Sequence, residues 1–92
     1  MQQLSVSMEN IVKPEDITKW LGRIEPVLEN ISPQNEKGEE IIENAAAYVS
    51  DCKHFLEKGN LVLAFECMVH AWAILETARE LGAVEFEDNK TL

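Results

Sequence analysis

Apolar residues recur along this chain at three- and four-residue intervals, in three stretches separated by helix-stopping signals. The first stretch is Ile17, Trp20, Leu21, Ile24, Leu28 and Ile31. Pro14, just ahead of it, suits the first turn of a helix, and Glu15 and Asp16 match the positive end of the dipole. Pro26 falls inside the pattern, where its ring removes a hydrogen bond to the Gly22 carbonyl and crowds that residue. Gly22, lacking a side chain, is read as easing the distortion. The spacing therefore predicts a kink near residues 22–26, or a short helix followed by another turn.

Ser32-Pro33 marks the next boundary, with Ser32 as N-cap and Pro33 as first helical residue. Gly38 weakens the early turns, so the start is expected between Pro33 and Glu39. The second helix presents Ile41, Ala45, Tyr48, Cys52, Phe55 and Leu56 on one face. Gly59 stops it and Asn60 caps the third, which runs from Leu61 to about Leu81 before Gly82. Beyond Gly82, Val84 and Phe86 alternate with acidic residues, and Phe86 is expected to fold back over one end of the bundle. The prediction is all-α: one domain over residues 1–92, a three-helix up-down-up bundle with an antiparallel hairpin formed by the last two helices. Residues 1–12 read as a loose lead-in and 87–92 as a frayed tail.

The third helix is apolar around most of its circumference. Leu61, Ala64, Phe65, Met68, Ala71, Trp72 and Leu75 form its main face. Val62, Val69 and Ala73 widen the apolar surface on one flank, and Leu63, Cys67 and Ile74 on the other. Only Glu66, His70 and Thr77 make a polar stripe. Such a helix is buried on more than the usual face. Either it is the most enclosed helix of the monomer, or its flanks meet another chain. Val62, Leu63, Cys67, Val69 and Ile74 are the candidate interface.

Composition narrows the function classes. Eight Lys and Arg against seventeen Asp and Glu give a net charge of −9, which repels phosphate backbones and anionic headgroups. Neither nucleic acid nor membrane is an expected partner. No apolar run approaches the roughly 20 residues that span a bilayer, and the first residues lack the pattern of a signal peptide. A cytoplasmic location follows as the expectation. The domain is small, and oligomerisation is a common remedy for a small core.

No catalytic constellation emerges. Cys52, His54, Cys67 and His70 are zinc-ligand types, but His54 lies about 200° around its helix from Cys52, and His70 belongs to the polar stripe. The cysteines read as small buried hydrophobes. Glu66 and His70, at i and i+4, read as an exposed helical pair, and no Glu-x-x-His occurs. Glu36, Glu39, Glu40 and Glu43 read as a dipole-matched helix start rather than a metal cluster. No serine has a base arrangement, and phosphate-binding glycine loops are absent. Trp20, Tyr48, Phe55, Phe65, Met68 and Trp72 read as core before ligand box. No catalytic, cofactor or metal residue is assigned, and an enzyme is not expected.

The hairpin is similar to a single tetratricopeptide-type unit, but a solenoid needs several copies at a period of about 34 residues. It also resembles the helical domains that accompany minimal nucleotidyltransferases, without the Arg-x-x-x-x-His of their ribonuclease members. Tyr48, Asp51, the run Phe55 to Asn60, Ala64-Phe65, Ala71, Leu75 and Leu81-Gly82 carry a closer resemblance. They resemble the short archaeal proteins called domain of unknown function 357, well over residues 41–86 and loosely over 12–35. The resemblance implies a compact three-helix bundle and an archaeal, cytoplasmic origin, and it implies no activity or catalytic residues. Two functions remain: a non-enzymatic protein-interaction or self-associating module, as a homodimer or with another protein, or an accessory subunit or small-ligand binder of an enzyme system.

Overall fold

The computed structural model describes residues 12–88 and contains α1 (Pro14–Asn30), β1 (Ser32–Pro33), α2 (Glu36–Glu57), α3 (Leu61–Glu80) and β2 (Val84–Glu85). It is the expected three-helix bundle, with one short strand pair added at its end. Ile17, Leu21, Ile24 and Val27 of α1 and Ala45, Val49 and Cys52 of α2 are buried against Ala64, Met68, Ala71, Leu75 and Ala78 of α3. The α3 positions alternate four and three residues apart, the seam expected for a helix packed between neighbours.

The two helix stops are built alike. Gly59 and Gly82 both have φ of +80°, and the next residue's amide reaches back a full turn. Asn60 N–H donates to Phe55 O at 2.9 Å, and Ala83 N–H to Ala78 O at 2.9 Å. A left-handed residue followed by this long bond is what satisfies the last carbonyls of a helix, and glycine adopts it without penalty. Asn60 then caps α3, its side chain accepting from Leu63 N–H at 3.2 Å.

Three expectations are corrected. First, α1 runs unbroken through Pro26, so the alternative of a short helix and a turn is not realised. Pro26 is exposed, and a Cβ on Gly22 would meet nothing within 4 Å, so Gly22's missing side chain is not what accommodates the ring. Second, α2 starts at Glu36, inside the expected window, but Asn35 is its cap, accepting from Gly38 N–H at 2.8 Å. Ser32 and Pro33 instead pair antiparallel with Glu85 and Val84. Pro33 has no N–H to give, and the neighbouring Gln34 N–H donates to Ala83 O at 2.8 Å. Third, among the described residues α3 is long and apolar enough to cross a membrane by length and composition, against the expectation that no run approaches this. Here its buried seam forms the middle of the bundle.

The chain after Gly82 turns back as expected: Ala83, Val84 and Phe86 are buried, and Arg79 stacks 4.2 Å from the Phe86 ring centroid. Two residues expected in the frayed tail are held. Glu87 N–H donates to Asn30 Oδ1 at 3.2 Å, and Asp88 pairs with Arg23. Most of the lead-in, residues 1–11, lies outside the described residues, as does the tail from 89 to 92. Val12 is already buried.

Candidate interaction groove

Where α1 crosses α3, large side chains meet edge to edge and leave a cleft of about 450 Å³ open to the surface. Trp20 and Arg23 of α1 form one wall; Phe65, Val69, Trp72 and Ala73 of α3 form the other, with Met68 beneath. The spacing of Phe65, Trp72 and Glu76, and of Val69 and Ala73, keeps these residues along one side of α3. Glu76 and Asp88 close one end.

Aromatic geometry fixes the walls. The Trp20 and Trp72 rings meet at 80°, centroids 6.2 Å apart, the edge-to-face contact that indole quadrupoles favour. Arg23 lays its guanidinium 4.8 Å from the Trp20 centroid and 5.8 Å from that of Trp72. Its Nη2 donates to Asp88 Oδ2 at 3.0 Å. The Trp72 indole N–H is buried and finds no acceptor among the described residues. A buried donor left unpaired costs on the order of 1–3 kcal/mol.

The candidate interface residues lie on the two flanks of α3 where their spacing places them, and only one flank meets the groove. Val69 is 47% exposed and lines the groove; Val62, two turns earlier on the same line, is half-buried outside it. Leu63, 38% exposed, and the half-buried Cys67 and Ile74 lie on the other flank, about 120° around α3. Ile74 borders a separate hollow of about 420 Å³ with Asn44, Ala47, Tyr48 and Asp51. Tyr48 is therefore on the wrong side to share a cavity with Phe65 and Trp72, and the aromatic box divides between two faces. Sequence reasoning misses the α1 wall, because helical spacing reads Trp20 as core and gives Arg23 no role. An arginine three residues after a tryptophan on one helix is the available signal.

The other candidate chemistry is local. His70 Nδ1 lies 2.9 Å from the backbone carbonyl of Glu66, not its carboxylate, and its ring stacks on Tyr48 with centroids 5.3 Å apart. Cys52 is fully buried, and burial, then the neighbouring Cys67, pushes its thiol up to about 11. Burial also raises the Cys67 thiol, with Asp51 and Glu66 acting in the same direction. These thiols are poor nucleophiles at neutral pH. Among the described residues, no three His, Cys, Asp or Glu side chains are grouped to hold a metal ion.

The sequence model of the DUF357 family, described as proteins of unknown function, matches residues 17–84. This chain belongs to the DUF357 family. The crystal structure of protein AF1782 from Archaeoglobus fulgidus, assigned to that family, superposes with a TM-score of 0.72 at 43% identity. The match covers 80% of this chain and 92% of that one. None of the curated proteins matches the chain significantly. The family match spans both groove-forming helices except for the first turn of α1, and ends before Glu87 and Asp88.

Proposed function

We propose that this DUF357 member is a non-enzymatic, cytoplasmic protein-interaction module whose docking surface is the groove between α1 and α3. One observation carries the reading: both tryptophans of the chain flank an open apolar cleft at whose rim Val69 stays 47% exposed. Aromatic and methionine side chains beside an open cleft are the composition of protein-binding hot spots. This moves the interface to one flank of α3, with Val69 kept and Leu63, Cys67 and Ile74 set aside. Neither nucleic acid nor membrane is proposed as partner, given the net charge of −9.

A photo-crosslinking benzoylphenylalanine replacing Val69 in the full chain tests the reading against the same group replacing Glu43, which is exposed on α2. In extract of the source organism, a discrete protein adduct at position 69 and none at position 43 is expected. Equal labelling at both positions, or none at 69, overturns it. The cleft volume favours a second reading, since it lies within the roughly 300–1,000 Å³ of small-molecule sites. Native mass spectrometry of protein isolated from its own source tests this: a bound small molecule supports it, and a bare chain mass counts against it.

A further inference from the structure

Resting on the reading of the groove as a docking surface, we infer that its occupant is an amphipathic helix of another protein, with lysine or arginine beside its apolar stripe. The groove runs from Phe65 to Glu76, twelve residues of α3, or about 17 Å at the helical rise. That length accepts three turns of an incoming helix, whose anchors at i, i+3 or i+4, and i+7 would meet Phe65, Val69 with Trp72, and Ala73. The walls are two helices, so the groove offers no strand edge to an extended peptide. An apolar side chain entering it covers Val69.

Charge selects among occupants. Among the described residues that line the groove, Arg23 is the one cation, and it is engaged with Asp88 and the Trp20 face. Among the described lining residues the remaining charge is Glu76, with Glu80 exposed one turn further along α3. The chain as a whole carries −9. A basic segment is attracted to such a rim, whereas two copies of this chain brought groove to groove add like charges. The observations therefore favour a basic partner over self-association at this face.

Three synthetic 18-residue helices with one shared leucine stripe, and Lys, Gln or Glu at every other position, test the inference on the full-length protein. The two tryptophans both border the groove, so their fluorescence reads occupancy directly. The Lys peptide is expected to bind with a blue shift, about tenfold tighter than the Gln peptide at low salt, the gap closing as salt is added. Val69→Gln is expected to weaken both peptides. Glu76→Gln is expected to weaken the Lys peptide alone; both positions are exposed, and circular dichroism checks that each variant is folded.

Binding of the Gln or Glu peptide as tightly as the Lys peptide overturns the basic partner while leaving a docking groove in place. Lys-peptide binding that ignores Val69→Gln is charge attraction elsewhere, and overturns the site. No fluorescence response to any peptide also overturns the inference, and the crosslinking at position 69 then stands or falls by itself. Leu4→Asp with Met8→Asp covers the remaining occupant: a change in the free protein's tryptophan emission would assign the groove to this chain's own first residues and overturn the proposal. A doubled mass in sedimentation, abolished by Val69→Gln, would assign it to a second copy with the same consequence.

Discussion

The Gly38 backbone rests against the carbonyl of Ala83, so that a Cβ on Gly38 would occupy the space of that oxygen and lie 3.3 Å from Pro33 Cα. This contact joins the first turn of α2 to the chain leaving α3. The oxygen is not free to move, because it accepts the Gln34 amide beside the strand pair. Gly38→Ala is expected to destabilise the protein by about 1–3 kcal/mol, the usual cost of overpacking, despite alanine's better helix propensity. Chemical denaturation reads the loss; an unchanged midpoint would show that the strand pair yields freely.

Gly22 gives the opposite sign. It lies exposed in the interior of α1, with nothing within 4 Å of where a Cβ would stand. Gly22→Ala removes backbone freedom from the unfolded chain and meets no neighbour, so a gain of about 0.5–1 kcal/mol is expected. A thermal midpoint raised by several degrees, roughly 4–8 °C per kcal/mol in a domain of this size, checks it. A fall would mean that Pro26 does depend on the glycine after all.

These two glycines show which features are legible in the sequence. Helix stops are, because Gly59 followed by Asn60, and Gly82, announce a left-handed residue by their chemistry. The Asn35 cap is obscured by Ser32-Pro33, an equally good start signal by residue type. What diverts Ser32 and Pro33 is a two-residue pairing with Val84 and Glu85, too short to leave any periodic trace. The groove is half legible. Counting angles around α3 exposes Val69, but Trp20, Arg23 and Asp88 join it only through the crossing of α1 and the return of the chain after Gly82. No local pattern encodes those long-range placements.

Arg23 ties that return to the groove wall, its side chain 10% exposed and that of Asp88 20% exposed. Arg23→Met keeps much of the side-chain volume but removes the charge from the Trp20 face and the 3.0 Å ion pair with Asp88. A stability loss of about 1.5–3 kcal/mol is expected, the range for hydrogen bonds to charged groups. Tryptophan emission should also shift, since a cation 4.8 Å from the Trp20 centroid is lost. A shift without a stability change would mean that the pair with Asp88 contributes nothing net.

The cysteines supply a pH signature. Cys52 has a folded pKa of about 11 against an ordinary 9.0, because burial disfavours its thiolate. The raised value means that this group's contribution to stability is fully present below about pH 9. It is lost as pH rises, because the unfolded chain releases a proton that the folded chain retains until about 11. Cys67 shifts in the same direction and adds to the loss. Unfolding free energy should therefore fall between pH 9 and 11, and Cys52→Ala should flatten that fall while costing some packing at every pH. At pH 8 in native protein, iodoacetamide should modify half-buried Cys67 ahead of fully buried Cys52, with mass spectrometry of the peptides reading the order. Equal rates would require α2 and α3 to separate readily at the level of Cys52, against the packing that buries it completely.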